Sequence, residues 1–119
     1  MESRSAIEVF SALSQPTRLE AFRLVVEREP DGMAAGEIAR ALGIPQNTMS
    51  THLAILTAAG LLSAERRSRS IIYRAEIGRV RELASFLVSD CCNGRPELCE
   101  PLVAEFTSCC GPKEGRHAC

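Results

Sequence analysis

At 119 residues the chain has room for one modest core rather than several domains. Hydrophobic residues make up 45%, ordinary for a globular protein, and no apolar run approaches the roughly 20 residues of a membrane span. A net charge of −1 neither requires nor forbids a nucleic-acid partner, so the placement of charge decides more than its sum. Helix formers dominate, aromatic residues are 4% and Trp is absent, so a mainly α fold is expected. The opening Met1-Glu2-Ser3-Arg4 lacks the apolar segment of a secretory signal. The expected compartment is therefore the cytoplasm, with thiols kept reduced.

Ile7, Phe10, Ala12 and Leu13 mark a first short amphipathic helix. Ser14-Gln15-Pro16 makes a helix start: Ser14 is the expected cap, and Pro16 suits a first turn that has spare N–H groups. The second helix is expected from Thr17 to about Glu29, with Leu19, Phe22, Val25 and Val26 inward, and Pro30-Asp31-Gly32 stops it. A third helix covers Gly36 to Leu42, and Gly43 fits the position just past its end. Pro45 opens a fourth helix, Gln46 to about Ala59, which Gly60 ends.

A short helix, a tight Gly43 turn and a second helix form the helix-turn-helix pattern. In the second of the pair Met49, Leu53 and Leu56 share one face, and Asn47, Ser50, Thr51 and Ala54 fall opposite. That outer face is small, polar and uncharged, able to approach base edges without bringing carboxylates near phosphates. An ordinary Ser/Thr-rich surface helix would read the same, and the next segment tips the balance. Leu61 to Arg66 and Ile71 to Ala75 read as two strands joined by Arg67-Ser68-Arg69-Ser70. A hairpin directly after such a helix is a wing, and its arginines suit backbone or minor-groove contact. Residues 63–81 hold six arginines against Glu65 and Glu76, a local basic stripe. The expected DNA-facing residues are Gln46, Asn47, Thr48, Ser50, Thr51 and His52 on the helix, with Arg66, Arg67 and Arg69 on the wing.

From Glu76 the helical period returns in Ile77, Val80, Leu83, Ala84, Leu87 and Val88. A terminal amphipathic helix needs a surface to cover. A second subunit is the natural one, paired with the first helix; packing onto its own domain is the alternative. Ile7, Phe10, Val80, Leu83 and Leu87 are the expected interface residues. The fold class is thus mainly α with a β-hairpin wing (α+β), a winged helix-turn-helix dimerising through its first and last helices. Residues 1–90 form the DNA-binding and dimerisation domain, and 91–119 a cysteine-rich segment.

All six cysteines lie in that segment, as Cys91-Cys92 with Cys99 and Cys109-Cys110 with Cys119. A disulfide scaffold would scatter them through the core. Asn93-Gly94 and Pro96 turn the chain so that Cys99 can fold back toward the first pair. Soft thiolates select soft acceptors, and neither an imidazole nor a carboxylate cluster completes a zinc cage within one set. Three sulfurs suit a pyramidal trivalent centre, arsenic or antimony. Arsenous acid condenses with three thiols to a neutral product, whereas cadmium or lead would leave negative charge at a helix C-terminus, disfavoured by about 1 kcal/mol. Cys91, Cys92 and Cys99 are the expected ligands, and Cys109, Cys110 and Cys119 an accessory set. A thiol redox switch or a cadmium or lead sensor of the same fold stays open, as does a thiol enzyme or arsenic buffer. The chain carries no His/Asp/Ser constellation for catalysis, so an enzyme and a catalytic cofactor are not expected. Cys110 to Arg116 matches the Cys-x5-Arg spacing of oxyanion loops, but Gly111-Pro112 supplies no helix to follow it.

The stretch Ala12-Leu13-Ser14-Gln15-Pro16-Thr17-Arg18-Leu19 is the first piece of a wider likeness. Asn47-Thr48-Met49-Ser50-Thr51-His52-Leu53 with Leu56 and Gly60-Leu61-Leu62, and the wing ending in Tyr73, complete it. Together these resemble the ArsR/SmtB family of small bacterial metal-responsive repressors, from about Ala6 to Leu87. The resemblance implies a homodimeric winged helix that represses double-stranded operator DNA until a metal or metalloid binds. Two family sites do not carry over. Met33-Ala34-Ala35-Gly36-Glu37-Ile38 holds no Cys-x-Cys motif at the third helix. The last helix lacks the histidines of zinc sensors, the chain having only His52 and His117. Some arsenite sensors of the family place cysteines near this end of the chain, and the sequence is similar to that subgroup. Arsenite, and by extension antimonite or organic trivalent arsenic, is the implied effector.

Overall fold

The computed structural model describes the backbone of residues 1–92 and side chains as far as Val88. Five helices and three strands follow in the order α1 (Ser3–Leu13), α2 (Pro16–Glu27), β1 (Met33–Ala34), α3 (Ala35–Leu42), α4 (Gln46–Ala58), β2 (Leu62–Arg67), β3 (Ser70–Ala75) and α5 (Ile77–Cys92). Met1–Leu83 form one compact unit, and a second begins at Ala84 within α5.

The turn between α1 and α2 departs from expectation in its cap. Gln15, not Ser14, is the N-cap of α2, its Oε1 accepting from the Arg18 N–H at 2.8 Å. Ser14 instead donates its hydroxyl to the Ser11 carbonyl at 2.9 Å, finishing α1. Pro16 occupies the first turn as its missing N–H allows. Helix α1 turns small residues inward, Ala6, Val9 and Ala12, while Ile7 and Phe10 stay 66% and 46% exposed. In α2 the buried residues are Ala21, Phe22 and Val25. Leu19, expected inward, is exposed: Ala21 and Val25 set the inward stripe, and Leu19 falls off it.

Helix α3 closes on Gly43 at φ +68°, a left-handed residue that an L side chain would strain. Its start is held by Glu37, whose carboxylate accepts from the Ala34 N–H at 3.0 Å. Met49, Leu53 and Leu56 of α4 are fully buried, together with Ile38, Met33, Val25, Val9 and Leu61. Burying each such side chain contributes about 1.5–3 kcal/mol, so the core fixes which face of α4 turns outward.

Strands β2 and β3 pair antiparallel from Leu62↔Ala75 to Arg67↔Ser70, leaving Ser68-Arg69 as the turn. Each strand is one residue longer at the tip than the sequence pattern suggests. On the other side of β3 lies β1, with Met33↔Tyr73 and Ala34↔Ile72, giving sheet order β1-β3-β2. Two residues such as Met33-Ala34 carry no period-2 signal in the sequence. Glu76 N–H donates to the Leu61 carbonyl at 2.8 Å and closes the wing at its base.

Leu83 of α5 is 9% exposed and belongs to the core of the single chain. Leu87 and Ile77 are exposed and Val80 is half-buried. Among the described residues no helix is long and apolar enough to cross a membrane.

Candidate nucleic-acid interface

Helix α4 presents Gln46, Asn47, Thr48, Ser50 and Thr51 to solvent, with His52 half-buried at the edge of that face. The inward pull of Met49, Leu53 and Leu56 at spacings of four and three produces this exposure. Not every polar group on the face is free to reach outward. Asn47 Oδ1 accepts from the Thr48 N–H at 2.9 Å, which leaves its NH2 group as the outward donor. Thr51 Oγ1 donates back to the Asn47 carbonyl at 3.4 Å, so its hydroxyl oxygen is available as an acceptor. Gln46 leans over Gly36, its Oε1 3.6 Å from where a Cβ would stand there. The helix also turns its N-terminal N–H groups toward this end, a favourable place for phosphate oxygens.

The wing places Arg66, Arg67 and Arg69 in solvent. Arg67 pairs with Glu65 at 3.3 Å, both about half exposed, an arrangement that holds the guanidinium only weakly.

Three contacts that set the angle of these elements are invisible in the sequence pattern. Glu29, just past α2, grips β3: its Oε2 accepts from the Ala75 N–H at 2.7 Å and its Oε1 from Arg74 Nη2 at 3.0 Å. The hydrogen bond to Glu29, then its charge, raises Arg74 above its ordinary value. At the far end of α4, Arg79 Nε donates to the Ala59 carbonyl at 3.2 Å and Arg79 Nη1 pairs with Glu82. Gly60 at φ +84° makes room for it, since a Cβ there would lie 2.9 Å from Arg79 Nε. A cation at the negative end of a helix is stabilising. The third contact is Arg18 at the start of α2. Its Nε donates to the Ala12 carbonyl at 2.7 Å, its Nη2 reaches the Ser11 carbonyl at 3.5 Å, and its Nη1 lies 3.4 Å from His52 Nδ1. The partners in these contacts are 46, 20 and 34 residues apart, beyond any local periodicity.

Of the expected sulfur ligands, Cys91 and Cys92 are the last described residues of α5. Cys99, Cys109, Cys110 and Cys119 lie outside the described residues. Among the described residues no group of three or more His, Cys, Asp or Glu side chains could hold a metal ion.

A helix-turn-helix whose second helix bares an uncharged polar face, followed by an arginine-tipped hairpin, defines a winged-helix DNA-binding protein. The comparisons agree. Residues 13–63 match a model described as a helix-turn-helix domain. The chain is 33% identical over 98 residues to an uncharacterized HTH-type transcriptional regulator, YbzH of Bacillus subtilis, covering 71% of this chain and 96% of that one. It is 36% identical over 70 residues to the HTH-type transcriptional repressor SmtB of Mycobacterium tuberculosis, covering 59% of this chain and 50% of SmtB, so it spans half of that relative. Among solved structures, a homodimeric winged helix-turn-helix DNA-binding domain from Mycobacterium bovis, described as a possible ArsR-family regulator, superposes with a TM-score of 0.60 at 26% identity. The match covers 76% of this chain and 82% of that one. The chain belongs to the ArsR/SmtB family of winged-helix transcriptional regulators. It is a DNA-binding transcriptional regulator.

Proposed function

We propose that this regulator is a homodimeric repressor that releases its operator when trivalent arsenic binds Cys91, Cys92 and Cys99. The observation that carries the reading is the course of α5. Its first turn is tied to the C-terminal end of α4 through Arg79 and Ala59, and Cys91 and Cys92 are its last described residues. In this reading, effector binding at Cys91 and Cys92 acts through α5 on the helix that faces DNA. Exposed Ile7 and Phe10 on α1 supply apolar surface that a second copy would cover, and Leu87 on α5 is itself exposed. A groove of about 410 Å³ beside Ile7, lined by Ser11, Ala12, Ile55 and Ala58, extends that surface on α1 and α4. Such a dimer matches a two-fold operator, with half-sites about one or two helical turns apart.

Two adjacent thiols and a third eight residues after Cys91 suit the chemistry of the effector. Arsenous acid exchanges its three hydroxyls for three thiolate sulfurs, each thiol proton leaving as water, with no change in oxidation state. Binding alone does not release DNA; the effector must favour the form of the dimer that binds DNA poorly. A hundredfold loss of operator affinity corresponds to about 2.7 kcal/mol of coupling, within the usual allosteric range.

The test is a titration of reduced protein on operator DNA with arsenite, antimonite, cadmium and zinc, followed by fluorescence anisotropy. Release by arsenite and antimonite, lost in Cys91→Ser and Cys92→Ser variants that still bind operator, is the expected result. Cys99→Ser should weaken or abolish the response, while serine at Cys109, Cys110 and Cys119 together should change little. Release only on thiol oxidation, or only by cadmium, would replace the arsenic reading with one of its alternatives on the same fold.

A further inference from the structure

The Arg18–His52 contact bears on how the reading helix presents its hydrogen bonds, and the inference from it rests on the DNA-binding role of α4. A guanidinium has N–H donors and no acceptor, and it does not lose its proton in a protein. Where its Nη1 points at His52 Nδ1, that ring nitrogen can only accept. The ring proton of a neutral imidazole must then sit on Nε2. Nε2 lies on the side of the ring away from Arg18, and among the described residues it has no hydrogen-bond partner. His52 itself is half-buried at the border of the exposed α4 face, four residues after Thr48 and next to Thr51.

Arg18 is well placed to hold this arrangement. Its guanidinium is fixed by the Ala12 and Ser11 carbonyls at the end of α1, and its own N–H is held by Gln15. The cation sits at the negative end of α1, which further favours it there. The 3.4 Å separation from His52 is at the long end of hydrogen bonding, so the contact selects a tautomer more than it adds stability.

We propose that Arg18 is a positioning residue that locks His52 in its Nε2–H form, making His52 a donor toward a hydrogen-bond acceptor on operator DNA. The acceptor is a phosphate oxygen or the N7 or O6 edge of a guanine; a donor such as the cytosine amino group is rejected. A polar but uncharged helix thereby gains one directed donor without a cation.

Two substitutions separate the halves of the ring. His52→Asn keeps an oxygen near the Nδ1 position for Arg18 and removes the outward donor. His52→Gln reaches to the Nε2 position and keeps a donor. The probe is a duplex selected from a random library by the full-length reduced protein; failure to select any duplex would sink the DNA reading itself, not this inference. His52→Asn should bind that duplex about tenfold more weakly, and His52→Gln within about threefold of the parent. A loss of equal size on a scrambled duplex assigns the acceptor to phosphate, and a loss tied to one base pair assigns it to guanine; either supports the proposal. Arg18→Met should weaken binding severalfold in the parent but add no further loss in the His52→Asn background. Equal losses in both backgrounds would make Arg18 a purely structural residue and overturn its role. With only two histidines in the chain, ring nitrogen NMR of the free protein in mildly alkaline buffer reads the tautomer directly. A proton on Nδ1 of His52, or a His52→Asn variant that binds like the parent, refutes the proposal whether or not Arg18→Met folds.

Discussion

Replacing Arg66, Arg67 and Arg69 together by alanine is the sharpest test of the wing. All three side chains stand in solvent around the two-residue turn Ser68-Arg69, and the backbone pairing of β2 with β3 does not depend on them. Arg67 is paired only with Glu65, at 3.3 Å with both side chains about half exposed. An exposed pair of this kind is worth about 0–1 kcal/mol, too little to keep Arg67 from a phosphate. Each phosphate neutralised contributes about 0.9 to the slope of log affinity against log salt. One wing with three such contacts accounts for about 2.7, and the two wings of a dimer for about 5.4. Between about 50 and 200 mM salt, the contribution of one wing amounts to roughly a 40-fold change in affinity. Anisotropy titrations of the parent and the triple variant across that range, on operator and on scrambled duplex, measure the difference. The slope should flatten on both DNAs, because phosphate contacts carry no sequence information. A triple variant with the parent slope, folded by circular dichroism, would show that the hairpin tip does not meet the DNA backbone.

Alanine at Ser50 or at Asn47 should cost about 1–3 kcal/mol of binding and relax specificity at one operator position, measured by binding to single-base-pair variants of the duplex. Asn47→Ala also frees the Thr48 N–H, so helix content should be checked beside it. Glutamate at Ile7 and Leu87 together should give monomers in sedimentation velocity and weak operator binding; a variant that stays dimeric would place the interface elsewhere. Glu29→Ala leaves the Ala75 N–H without its carboxylate and should lower stability by about 1.5–3 kcal/mol in urea unfolding. No change there would mean that water replaces Glu29 and that the wing does not depend on it.

Much of the fold was legible in the chain because it is written in short-range periods. Met49, Leu53 and Leu56 repeat at helical spacing, so one side of α4 had to be core and the other had to be Asn47, Ser50 and Thr51. Gly43 and Gly60 mark helix ends because their positive φ is a local requirement, and the two strands of the wing announce themselves by β-branched residues around a polar turn. The clustering of all six cysteines after residue 90 is likewise a property of the sequence alone. Tertiary structure decided what periodicity cannot carry. Leu83 and Leu87 belong to one sequence stripe, yet Leu83 is buried in the single chain and Leu87 is exposed, because a helix stripe is wider than the surface it meets. Leu19 is apolar and exposed because it falls off the inward stripe that Ala21 and Val25 set. The two-residue strand β1 exists only because β3 offers it an edge. Arg18, Glu29 and Arg79 are ordinary charged residues in the sequence. Each becomes a positioning element only when folding brings it to a carbonyl, a backbone N–H or a ring nitrogen 20 to 46 residues away. Hydrogen bonds select partners by distance and direction in space, and a linear pattern records neither.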